Sequence, residues 1–260
     1  MPTIADDGTM AYLIHRPEVL SEIVLLDRSG DVAAQIGGAR LGLYPAPSIS
    51  PDGLTVAVPL RNQRGADLWL FDLAGDDPRR LTYEDAILVH SPSWSPDGTT
   101  LLASMAGARD GDLAAGLHRV PAAGGPPELL VSASNQDNTV TRDGQTLIFN
   151  RASTSANWNL WMRPIDDSGA EVPLLEGSAW EIHPALSPDD RFLAYSTSGG
   201  TLYVRSFPDM EGPWEIGRGF APRWSPDGSR LYFLDGATMM EARVSTGGSF
   251  DFEPPVPLFE

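Results

Sequence analysis

Cysteine is absent from the 260-residue chain, which excludes disulfides, thiolate metal sites and a cysteine nucleophile. No apolar run approaches the about 18 residues that a membrane-spanning helix needs, so no membrane insertion is expected. Cations are scarce. Eighteen Lys and Arg face 35 Asp and Glu, giving a formal net charge of −17 and a pI near 4.5. Nucleic acids and anionic membrane surfaces are held by clustered Lys and Arg, so neither is expected as a partner. The acidic balance serves solubility, or steers cationic partners towards the chain. No stretch of ten or more residues carries a helical period. No G-x-S-x-G nucleophile elbow occurs either, which removes the serine hydrolase chemistry built on that turn. Residues Met1 to Gly8 carry no basic or apolar leader region and start directly within the first repeat. A soluble protein of periplasm or cytoplasm, and a monomer, is the expectation.

What the chain does have is Gly and Pro, 26 and 23 of them, as many tight turns require, and 42% hydrophobic residues with seven Trp, which argues for a packed core. Above all it has a repeat. Ser-Pro-Asp-Gly stands at Ser50–Gly53, Ser95–Gly98 and Ser225–Gly228, with degenerate copies at Ala5–Gly8, Thr141–Gly144 and Ser187–Asp190. The fourth positions, Gly8, Gly53, Gly98, Gly144, Asp190 and Gly228, are spaced by 45, 45, 46, 46 and 38 residues. A period of roughly 40–50 residues across the chain marks a propeller or an array.

Aligned on this turn, each unit shows four strand-like segments. An inner strand A precedes the turn and starts at a proline in five of the six units (Pro2, Pro47, Pro92, Pro184 and Pro222), with Asn138 in the remaining one. A large apolar residue follows two positions on, which places Trp94 and Trp224 between neighbouring blades. After the turn comes strand B, joined to A through Asp-Gly, a strong hairpin signal. Strand C carries Trp69, His118, Trp161 or Tyr203 in one slot, which makes His118 a packed core residue. A short strand D, such as Glu128–Val131 or Val172–Leu175, ends each unit. The expected fold is all-β: one six-bladed β-propeller over 1–260 with four antiparallel strands per blade. The blades run about 1–45, 46–90, 91–136, 137–182, 183–220 and 221–260. With strand A first and strand D last, the ring would close without exchanging a strand.

The pattern P-x-[WIL]-S-P-D-G, an apolar strand, D-L-W-x-x-D-L and R-R-L-T, best seen from Pro47 to Thr82, resembles the WD-like repeat of TolB-type β-propellers. The last unit, Ala221 to Glu260, resembles the ends of sensor propellers attached to bacterial serine/threonine protein kinases. The resemblance implies scaffolding, protein binding or sensing, with hydrolase or lyase chemistry in some relatives.

The Asp of each turn invites a catalytic reading, yet a catalytic acid is needed once and a turn residue is needed in every blade. Asp110-Gly111-Asp112 begins like a calcium loop but does not continue as one. The irregular residues are more informative. Just before strand A, where a propeller brings its blades to the mouth of the central channel, the repeat diverges: Tyr44 and Pro45, His90, Gln136 with Asp137 and Asn138, Glu181 with His183, and Phe220. Trp180 is a further rim aromatic. A structural repeat needs no variety there. His90, Asp137 and His183 are placed to converge from three successive blades. Two readings follow. In the first, this face of a non-enzymatic propeller binds a protein or peptide without a cofactor. In the second, a hydrolase or lyase uses the His and Asp groups around a divalent ion in the channel.

Overall fold

The computed structural model describes residues 3–4, 10–15, 20–41, 47–61, 64–75, 78–108, 113–132, 137–152, 157–166 and 168–260. Tyr44, Pro45, Gln136, the Ala5–Gly8 turn and Asp110–Asp112 lie outside these residues. The chain forms two compact units, Met1–Gln136 and Asp137–Glu260.

In the first unit, β1 (Thr3–Ile4), β2 (Met10–His15), β3 (Leu20–Leu26) and β4 (Val32–Leu41) form one antiparallel sheet in chain order. A second group is β5 (Ser48–Ile49), β6 (Thr55–Arg61), β7 (Ala66–Asp72) and β8 (Arg79–Arg80). A third is β9 (Ala86–Trp94), β10 (Thr100–Ala108), β11 (Gly116–Pro121) and β12 (Glu128–Val131), joined to the second where Ala66 of β7 pairs with Ala86 of β9.

The second unit continues the pattern. Its first sheet is β13 (Asn138–Val140), β14 (Thr146–Ala152), β15 (Trp158–Pro164) and β16 (Val172–Leu175). Next come β17 (Glu181–Leu186), β18 (Phe192–Thr197), β19 (Thr201–Ser206) and β20 (Trp214–Arg218). The last sheet is β21 (Phe220–Trp224), β22 (Arg230–Asp235) and β23 (Thr238–Ser245), with β24 (Asp251–Phe252) and β25 (Val256–Phe259) both pairing with β23. Among the described residues no helix is long and apolar enough to cross a membrane.

Alternate residues of the strands feed different cores. Val56, Val58 and Leu60 of β6 pack with Ile23, Leu25 and Ile36 of the first sheet. Their neighbour Ala57 packs the other way, with Leu101, Ala103 and Met105 of β10. In the second unit Ile148 and Leu160 meet Leu193 and Tyr195, while Phe192 and Ala194 join Trp224, Leu231 and Phe233. Within each unit, successive sheets thus stack face to face, which is why their strands are apolar on both faces.

The recurring turn is held by its own side chains. In Ser50–Gly53 the serine hydroxyl donates to Asp52 Oδ1 at 2.5 Å, and the same oxygen accepts the Leu54 N–H at 3.0 Å. Gly53, at φ 73°, lies in the left-handed region that glycine adopts at least cost. The same hydroxyl–carboxylate bond joins Ser95 to Asp97, Thr141 to Asp143, Ser187 to Asp189 and Ser225 to Asp227. These aspartates are turn residues. Where Asp190 replaces the glycine, its carboxylate reaches the preceding turn and accepts the Arg142 N–H at 2.8 Å.

The inner strands start earlier than their prolines suggest. β9 pairs with β10 from Ala86, and β17 and β21 begin at Glu181 and Phe220. At Ser91-Pro92, His183-Pro184 and Ala221-Pro222 two residues face one on strand B, and the pairing shifts. Each is a β-bulge, where a proline without an N–H costs the ladder nothing. The residue before each proline has φ 45°, 54° and 53°, an uncommon conformation for a side chain with a Cβ.

Candidate functional site

The fourth repeat lacks the bulge proline, and its irregularity has a structural content. Asp137 N–H donates to Asn150 Oδ1 at 2.9 Å, while Asn150 N–H donates to the Asp137 carbonyl at 3.1 Å. One backbone bond and one side-chain bond thus tie Asp137 to Asn150 just beyond the last β13–β14 pair, Asn138 with Phe149. They also leave the Asp137 carboxylate buried, with Oδ2 accepting from Asn150 Nδ2 at 3.3 Å and from the His183 backbone N–H at 3.1 Å. One carboxylate therefore pins the bulge of the next sheet, at the residue whose φ is strained.

The His183 side chain is held in the same place. Its Nε2 lies 3.9 Å from Asp137 Oδ2, and its ring meets Phe220 edge-on with centroids 6.2 Å apart. Nδ1 is buried and has no hydrogen-bond partner. Burial lowers the imidazole pKa. The Asp137 charge opposes that shift and the Arg223 charge adds to it, with burial the largest influence. Phe220 itself is 37% exposed, and its ring lies against Gly200, where a Cβ would come within 3.3 Å of Cζ.

Arg223, not singled out from the sequence, completes the group. Nη1 donates to the Pro222 carbonyl at 2.7 Å, and burial lowers the guanidinium pKa against the pull of Asp137. Asn150 was also missed. Arg223 did carry a signal, because the same slot holds Thr3, Ser48, Ser93, Thr139 and Ala185 in the other units.

The remaining expected site residues have these surroundings. Asn138 is half-buried on β13 opposite Phe149. His90 is half-buried on β9 of the first unit, opposite Ser104. His118 is buried as expected, with Nδ1 3.1 Å from the Gly116 carbonyl. Trp180 is exposed and its ring stands 6.4 Å from that of Trp158. A cleft of about 760 Å³ between the second and third groups is lined by Asp52, Asp72, Asp97 and Arg79, but the first two carboxylates and Asp97 hold their own turn backbones. Among the described residues no three His, Asp or Glu side chains are grouped as metal ligands.

Glu181 is 4% exposed. Its carboxylate accepts the Gly177 N–H, Oε2 has no hydrogen-bond partner, and burial pushes its pKa from 4.5 up to about 7. A carboxyl with a raised folded-state pKa contributes stability that is complete below the unfolded value of 4.5. That contribution is lost as pH rises through about 7. Glu181→Gln keeps the neutral shape, so at pH 8 it is expected to exceed the parent in urea-unfolding stability by about 2–3 kcal/mol, with little difference at pH 4.5. Equal stability of the two proteins at pH 8 would contradict this assignment.

A family model described as "TolB beta propeller domain" matches residues 1–213. TolB of Acinetobacter baumannii shares the fold with a TM-score of 0.69 at 23% identity, over 86% of this chain and 56% of that one. The chain thus spans little more than half the length of that relative. A TolB-like structure from Agrobacterium tumefaciens gives 0.66 at 22% identity over 83% and 82%. A chain of a nidogen/laminin complex gives 0.66 at 11% identity over 91% and 89%. No curated protein sequence matches. The stacked antiparallel sheets, the recurring Ser-x-Asp-Gly turn and the family match agree, and this chain belongs to the TolB β-propeller domain family.

Proposed function

We propose that this chain is a non-enzymatic recognition module that captures a protein or peptide segment where β13, β17 and β21 of the second unit begin. The observation that carries the reading is the use of Asp137. Its carboxylate is spent on the backbone of His183 and the side chain of Asn150, which fixes a strained bulge and stands His183 against the exposed Phe220 ring. A buried carboxylate committed to N–H groups orients its neighbours, and the sequence has no G-x-S-x-G nucleophile elbow. An exposed aromatic on a rigid strand end, beside polar groups, is the kind of anchor that binding surfaces use. The scaffold suits the task, since a chain of the nidogen/laminin complex has the same fold.

Panning a random peptide library against the purified protein tests this. Enriched peptides are expected to bind the parent protein and to lose binding when Phe220→Ala and His183→Ala are combined, with the β-sheet circular dichroism unchanged. Binding that ignores both substitutions would overturn the reading. So would catalytic turnover abolished by His183→Ala in a folded protein, which would favour a hydrolase or lyase.

A further inference from the structure

We infer that Arg223 is the anchor for a carboxylate group of the bound segment, with His183 and Phe220 beside it. The inference rests on the recognition reading above and names the chemistry of its ligand. It starts from the repeat. The slot between the strand A proline and the large apolar residue holds Thr3, Ser48, Ser93, Thr139 and Ala185, and only the last unit puts a long cation there. The blade does not ask for it.

The packing gives that cation no contact ion pair among the described residues. Arg151 and Arg163 meet Glu171, and Arg230 lies 3.5 Å from Glu241. Arg191 and Arg205 reach no carboxylate, but each spends its donors on two oxygens from other residues. Among the described residues no carboxylate oxygen lies within 4 Å of Arg223, whose one hydrogen bond goes to the carbonyl of its own neighbour, Pro222. Asp137 acts on it electrostatically, but Oδ2 of that carboxylate is engaged by the His183 N–H and by Asn150. A half-buried guanidinium with donors to spare is a standing site for an acceptor that arrives from outside.

The chemistry selects a carboxylate. The planar fork of a guanidinium matches two carboxylate oxygens with parallel N–H bonds. A phosphate would bring about two charges to a chain of net charge −17, with one unpaired cation to receive them. Phe220, on the same strand, offers an apolar face to the side chain that accompanies the carboxylate. His183 supplies a readout: burial and Arg223 lower its pKa against the pull of Asp137, so an anion bound beside it should raise that pKa.

The test is an NMR titration of the whole chain, following the His183 ring and the Arg223 side chain. Three probes are used: N-acetyl-phenylalanine, with a free α-carboxylate; N-acetyl-phenylalaninamide, without one; and N-acetyl-glutamate α-methylamide, with a side-chain carboxylate. The acid is expected to bind about tenfold or more tightly than the amide, and saturation should move the His183 titration upward. Whichever carboxylate binds more tightly identifies a chain terminus or an acidic side chain as the source. Arg223→Gln should lose the preference for acid over amide, and Arg223→Lys, which keeps charge but not the fork, should retain part of it. Equal binding of acid and amide, or an undiminished preference in either variant, would overturn the inference. Library peptides that require Phe220 and His183 yet tolerate Arg223→Gln would sink this inference and leave the recognition reading standing. Peptides indifferent to all three would sink both.

Discussion

Trp224→Ala is expected to lower unfolding stability by about 3–5 kcal/mol, the range for emptying a large aromatic site in a packed core. Trp224 is 8% exposed and sits among Ala185, Phe192, Leu231 and Phe233, with its ring edge-on to Phe250 at 6.2 Å. It also donates its indole N–H to the carbonyl of Ala185, 3.0 Å away on the preceding sheet. The substitution thus removes packing and leaves a buried acceptor unpaired. Trp224→Phe keeps most of the ring and should cost about 1–2 kcal/mol through that acceptor. Trp94 makes the same bond to Ser48, at 3.0 Å, but is only half-buried. It lines the polar cleft of the first unit, so Trp94→Ala should cost clearly less than Trp224→Ala. Urea unfolding followed by circular dichroism measures all three. A cost below about 1 kcal/mol for Trp224→Ala would mean that the sheets do not stack through this residue.

Asp137→Ala should cost about 2–4 kcal/mol, because two N–H groups in a buried setting lose their acceptor together. Asp137→Asn retains an acceptor for the His183 N–H and should cost less, about 1–2 kcal/mol, mainly through the charge opposite Arg223. A second effect separates this account from simple destabilisation. Without the carboxylate the His183 N–H loses its acceptor, and the bulge keeps only the strand pairing that it shares with the bulges at Ser91 and Ala221. The His183 amide signal should therefore shift in Asp137→Ala far more than amides on β23, and peptide capture should fail at temperatures where the variant is fully folded. A folded Asp137→Ala protein that binds as the parent does would remove Asp137 from the site.

The parts of the molecule that were legible in the sequence are those whose chemistry is local. Ser50, Asp52 and Gly53 make their bonds within five residues, so the motif alone specifies the turn and fixes the period. His118 was placed by its slot on strand C and is buried there. Asp137 and His183 stood out as departures from the repeat, and the structure joins them through a bond spanning 46 residues.

What stayed hidden depends on register between strands. The bulges at Ser91, His183 and Ala221 look like strand starts in the sequence, because proline commonly opens a strand, and only the pairing shows the ladder resuming before them. Asn150 reads as the polar end of strand B until the β13–β14 register sets it opposite Asp137. Arg223 lies one slot beyond the proline, within strand A, where its departure from Thr3, Ser48, Ser93, Thr139 and Ala185 is the one local sign of it.

The central claim is that recognition takes place where β13, β17 and β21 begin. Hydrogen–deuterium exchange of the chain, with and without the tightest peptide from the library selection, tests it most directly. The account predicts slowed exchange at residues 137–138, 181–185 and 220–223, and no change at the turns Ser187–Asp190 and Ser225–Gly228 at the other ends of the same strands. Protection confined to those turns, or to the first unit, would contradict it.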